Sequence, residues 1–171
     1  MTIHATYTIF GVKMSQIETY LWLCNFDQEF KEKTIGICKK LLIKINYIEE
    51  KSESDDILSI MSKIDDESDD KKINKKNEKT RKTLVHNYEL ISEIDEYLSS
   101  TKPFKRLFHG KITHDIDPDC PYVIGKEIPD GKTMDELIEF IKNTQDQLIE
   151  LGVDQSSIRT HTVQDDCECC N

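Results

Sequence analysis

Arginine is almost missing from this chain. Lysine and arginine together number 23, yet the guanidinium occurs only at Arg81, Arg106 and Arg159. Arginine is the side chain that grips carboxylate and phosphate with two prongs, so its scarcity argues against sites built on that recognition. The accompanying wealth of Lys, Ile and Asn fits an AT-rich coding sequence. Long apolar runs are lacking too, and no basic-then-apolar leader opens the sequence, so the reading is of a soluble, unsecreted protein whose cysteines are thiols. A membrane partner is not expected. Walker loop, GxGxxG, HExxH and GxSxG patterns are all absent. No catalytic constellation and no cofactor site emerges, and the chain leans away from being an enzyme.

What is present is acid. The net charge of −10 over 171 residues predicts no general affinity for phosphate backbones, hence no nucleic-acid partner. The length suits a single domain with a real core. From Glu49 to Asp70 ten acidic and two basic residues leave a local charge of −8, and Lys71 to Lys82, with seven basic and one acidic, carries +6. This block, 49–82, reads as a charged insertion, flexible or partly helical. Within it Ile57, Leu58, Ile60, Met61 and Ile64 mark a short amphipathic helix, a solvated loop being the plainer reading and a docking helix the sharper one.

The clearest architecture runs from Tyr122 to Val163. Tyr122 to Ile128 alternates as a strand, and Pro129-Asp130-Gly131 turns the chain. Thr133 and Glu136 then form a capping box, opening a helix with Met134, Leu137, Ile138, Ile141, Leu148 and Leu151 on one face and Gly152 past its end. Ile158 to Val163 is the returning strand. Ala5 to Met14 repeats the beginning of this plan, apolar on both faces as an inner strand should be, and a second capping box, Ser15 with Glu18, follows it. Tyr7-x-Ile9-x-Gly11-x-Lys13 echoes Tyr122-x-Ile124-Gly125-Lys126, but the glycine is out of register and no repeat is inferred. Asp27 to Ile48 fits helix better than strand, Thr83 to Leu98 has helical spacing until Lys102-Pro103, and Phe104 to Ile112 reads as a strand in a hairpin with Tyr122 onward. Trp22 and the phenylalanines fall at core positions. The order predicts an α+β, ferredoxin-like βαββαβ sheet with helices on one face and an extra helical, charged insertion in the first crossover.

Three places could carry chemistry. The cysteine-rich end Asp165-Asp166-Cys167-Glu168-Cys169-Cys170 is the oddest. Cys167, Cys169 and Cys170 are candidate ligands for a soft metal, with His161 as a possible fourth, and adjacent Cys169 and Cys170 also suit thiol exchange; a chain end without chemistry is the plain alternative. His109 and His114, beside Asp115, Asp117, Asp119 and Cys120, could serve as acid and base at a hairpin, or simply form a polar loop. His4-Ala5-Thr6 is half of a two-histidine phosphoesterase signature, and His161-Thr162-Val163 does not complete it.

ATYTIFGVKM, PYVIGKEI and the terminal DDCECCN together resemble small uncharacterised proteins of giant amoeba-infecting DNA viruses, which share the Lys, Ile, Asn and Asp bias. The resemblance leaves 49–82 unmatched and carries no activity. It implies host cytoplasm or a viral factory as the setting, or a virion. The sequence therefore points to a non-catalytic viral accessory or protein-interaction protein that self-associates, as a homodimer for instance. The rivals are a thiol, metal or redox protein using the terminal cysteines, and a small-molecule enzyme using the 109–114 histidines.

Overall fold

Ser15 ends the first strand and starts a helix in one residue. Its hydroxyl accepts from the Glu18 amide while the Glu18 carboxylate accepts from the Ser15 amide, satisfying two of the donors that every helix N-terminus leaves open. The chain divides there. The computed structural model, which describes residues 5–51, 53–66, 68–112 and 121–165, forms two compact units: Met1–Met14 with Ser100–Asn171, and Ser15–Ser99. The stretch 49–82, expected as a charged insertion, falls within the second of these units.

The Ser15–Ser99 unit holds helices α1 (Gln16–Cys24), α2 (Gln28–Lys44), α3 (Ser54–Asp65), α4 (Lys71–Val85) and α5 (Tyr88–Ser100), the last ending one residue beyond it. Asp27 and Asp70 cap α2 and α4 by accepting from backbone amides of their first turns. α2 ends where Asn46 takes a left-handed φ of 58°, a conformation its short polar side chain tolerates. The core gathers Tyr20, Leu23, Phe30, Leu42, Ile57, Met61, Ile64, Leu84, Leu90 and Ile94, all buried. The stripe Ile57, Met61, Ile64 is thus consumed internally, with α3 packed on α1 and α2, which removes it as a docking face. The single helix read over Thr83 to Leu98 is two: α4 ends at Val85, and the Asn87 carboxamide accepts from the Leu90 amide to start α5. Trp22 and Phe26 stack edge to face at 5.5 Å, with Phe26 42% exposed, so neither belongs to the core as expected.

The other unit is a four-stranded antiparallel sheet. Strands β1 (Ala5–Met14), β2 (Phe108–Lys111), β3 (Tyr122–Glu127) and β4 (Arg159–Asp165) lie in the order β2-β3-β1-β4. Phe104–Arg106 is a 3-10 turn, so the strand expected from Phe104 begins only at Phe108. α6 (Met134–Glu150) starts at the capping box of Thr133 and Glu136 and packs on β1 and β3. Gly152 follows with φ of 88°.

The sheet is strongly curled. Tyr7 of β1 touches Phe108 of β2 across the intervening strand, ring centroids 5.2 Å apart. Edge strands β2 and β4 also approach each other, closely enough that a Cβ on Gly110 would stand 2.6 Å from a Val163 methyl. Ile9, Val123 and Val163 are buried inside the curl with Tyr7, Phe108 and Ile112 around them.

Candidate interaction surface

The residues that the sequence nominates for chemistry are scattered. Cys167, Cys169 and Cys170 lie outside the described residues, as do His4, His114, Asp115, Asp117, Asp119 and Cys120. His109 sits in β2 opposite Ile124, and His161 in β4 opposite Ile9. Among the described residues no three His, Cys, Asp or Glu side chains converge to hold a metal.

His161 shares the concave face with Ile9. Its Nε2 is buried and meets no hydrogen-bond partner among the described residues. Burial lowers its pKa below the usual 6.5, and the Arg159 and Lys13 charges push the same way against a favourable hydrogen bond to the Gly11 backbone. It is a neutral imidazole lining a small apolar curl.

A second polar group lies inside the helical unit. The Thr34 hydroxyl donates to the Phe30 carbonyl at 2.7 Å and stands 2.9 Å from the Tyr20 hydroxyl. Cys24 and Cys38 are buried free thiols that reach the same phenol. Burial pushes the Cys38 thiol up to about 12, raises Cys24 as well, and drives the Tyr20 phenol far above its ordinary range. Thiols so shielded are poor nucleophiles and poor metal ligands. The cluster is a satisfied polar knot in a core.

What stays unsatisfied is on α6. Thr144 and Leu148 are buried and Leu137, Phe140 and Leu151 half-buried, yet Met134, Ile138, Ile141 and Ile149 are 72%, 57%, 38% and 41% exposed. The six apolar residues expected on one face are split by the packing: Leu137, Leu148 and Leu151 turn inward, and Met134, Ile138 and Ile141 stay exposed. At 3.6 residues per turn the apolar arc of this helix spans roughly 180°, and the sheet covers about half of it. Asp135, Glu139 and Asp146 flank the free half together with Lys142, all exposed. The sequence signal for this was available in the paired apolar residues Leu137-Ile138, Phe140-Ile141 and Leu148-Ile149, where one member of each pair overshoots the inward face. No helix among the described residues is long and apolar enough to cross a membrane.

No family model, no curated protein and no solved structure matches this chain.

Proposed function

We propose that the protein is a non-catalytic interaction protein that self-associates through the outer half of α6. The carrying observation is the strip Met134, Ile138, Ile141 and Ile149, at spacings of four, three and eight residues along a capped helix. Such spacing suits another helix, because at 100° per residue all four side chains fall within about 80° of one face. An antiparallel pairing of two copies that sets Ile138 against Ile141 opposes the helix dipoles and brings Lys142 of one copy alongside Asp135 of the other.

The architecture that presents α6 is read as a ferredoxin-like βαββαβ plan whose first crossover has grown into a helical unit. Strand order β2-β3-β1-β4, antiparallel pairing throughout, and α6 between β3 and β4 support it. With the viral resemblance of the two ends, the proposed setting is that of an accessory protein in infected cytoplasm.

Size-exclusion chromatography with light scattering tests the function. A dimer that becomes monomeric when Ile138 and Ile141 are both changed to Glu is the expected result. A strict monomer at high micromolar concentration, or a dimer indifferent to both changes, overturns it.

A further inference from the structure

We infer that α4 presents a phosphate-binding face that takes the backbone of nucleic acid. Lys71, Lys72, Lys75, Lys76, Lys79 and Lys82 are all exposed, whereas Asn77, Thr80 and Leu84 point into the unit. At 100° per residue the six lysines fall within about 140° of the helix circumference and run roughly 16 Å along its axis.

This face opposes the stability of its own helix. Lys71 and Lys75, Lys72 and Lys76, and Lys75 and Lys79 are like charges four residues apart, each pair unfavourable. Lys71 and Lys72 also stand in the first turn, which has no acidic residue and where the helix dipole disfavours cations. Internal compensation is slight. Lys82 pairs with Glu78 at 3.4 Å, Lys76 lies 4.4 Å over the Tyr47 ring, and the ammonium groups of Lys71, Lys72, Lys75 and Lys79 have no acidic partner among the described residues. A local rule broken without an internal return marks a functional surface.

The chemistry of the face selects among polyanions. A protein interface would want aromatic or aliphatic anchors and few lysines. Membrane association would want an apolar strip free to insert, but Leu84 and Val85 are buried and Ile73 alone is exposed. Lysine point charges in a row, with half-buried Arg81 and Asn74 outside their arc and Asn77 buried, suit the phosphate backbone irrespective of sequence. The chain's charge of −10 is no obstacle in itself, since salt confines each surface to its own neighbourhood of about 10 Å.

Fluorescence anisotropy with a labelled duplex of about 20 base pairs, and with one of its strands alone, tests this in the full chain at low and rising salt, with phosphatidylserine vesicles as a parallel arm. Binding is expected to weaken with salt along a log–log slope near −4 for the duplex, from about 0.9 per phosphate contacted. Replacing Lys71, Lys75 and Lys79 by Gln removes at least about tenfold of the affinity and flattens the slope by about 3. Lys40→Gln with Lys44→Gln on α2 changes neither, and circular dichroism verifies that each variant is folded. Absence of binding to either nucleic acid at low salt, equal affinity in the triple variant, or retention on vesicles alone overturns the proposal. Dimerisation through α6 is read in a separate measurement, so either reading can fail without the other.

Discussion

Gly11 and Gly125 stand directly opposite each other in the β1–β3 pair, and neither could carry a side chain: a Cβ on either would lie 2.7 Å from the other's Cα and closer still to a neighbouring carbonyl oxygen. The two strands cross there with a tightness that ordinary residues forbid, and the crease faces the side on which Ile9, Val123 and Val163 are buried. Glycine inside a strand costs conformational entropy, and this pair recovers it by letting the sheet bend sharply enough for its two edges to approach. Gly110 repeats the device at the far edge, where Val163 takes the space of its missing side chain.

Substitution at the crease should therefore be severe. Gly11→Ala and Gly125→Ala each force backbone apart, beyond the roughly 1–3 kcal/mol typical of overpacked side chains. Gly36→Ala is the contrast, because nothing lies within 4 Å of its added methyl and the site is exposed helix. Alanine there should stabilise by about 0.5–1 kcal/mol. Urea unfolding of the three variants checks both signs; a mild Gly11→Ala would mean that the strands separate easily.

The buried thiols make a different prediction. With Cys38 raised to about 12 and Cys24 raised by the same burial, neither should react with a thiol-specific disulfide reagent at pH 8 on the timescale of exposed cysteines. Both should be labelled once urea opens the fold. Peptide mapping after a brief native exposure separates them from the other cysteines, and prompt labelling of Cys38 would show that the helical unit opens readily.

Tyr20→Phe tests the polar knot. The change deletes a buried hydroxyl whose neighbours include Thr34 at 2.9 Å and two thiols. Thr34 keeps its bond to the Phe30 carbonyl, so the penalty should stay near 1 kcal/mol, at the low end of the range for a broken buried hydrogen bond. Thermal melts of the two proteins read the difference. A loss several times larger would show that the phenol also positions Cys24 and Cys38.

Much of this was legible beforehand, and the failures share a cause. The capping boxes at Ser15 and Thr133 locate helix starts because capping is a local contest between neighbouring groups, and the strands at Ala5 and Tyr122 follow from alternation. The break at Asn87 was hidden because Leu84, Tyr88 and Ile91 keep helical spacing straight through it, although Tyr88 is 87% exposed. The echo between Tyr7–Lys13 and Tyr122–Lys126 looked one residue out of step as a repeat. In the antiparallel pair only its two glycines face each other, Lys13 standing opposite Val123 and Ile9 opposite Glu127. How far each apolar arc is covered depends on tertiary neighbours, so Met134, Ile138 and Ile141 could be placed on a helix face but not assigned to solvent. The terminal cysteines and His114 fall outside the described residues, and local sequence gave them no fold to lean on.

His161 yields the pH prediction. Its folded pKa is lowered first by burial and then by Arg159 and Lys13, while in the unfolded chain it titrates near 6.5. Below that value the unfolded state binds the extra proton and the folded state resists it, so the unfolded form gains protons relative to the folded one. The sheet's full stability from this group is present above about pH 6.5 and is lost as pH falls through the lowered folded value. Protonation would place a cation opposite Ile9, within reach of the like charges of Arg159 and Lys13. Proton NMR of the imidazole should give an apparent pKa below 6.5, and His161→Phe should flatten the acid limb of a melting-temperature profile between pH 7 and 5 relative to the parent protein. A measured pKa above 6.5 would show instead that an anion or water reaches the Nε2 atom inside the curl.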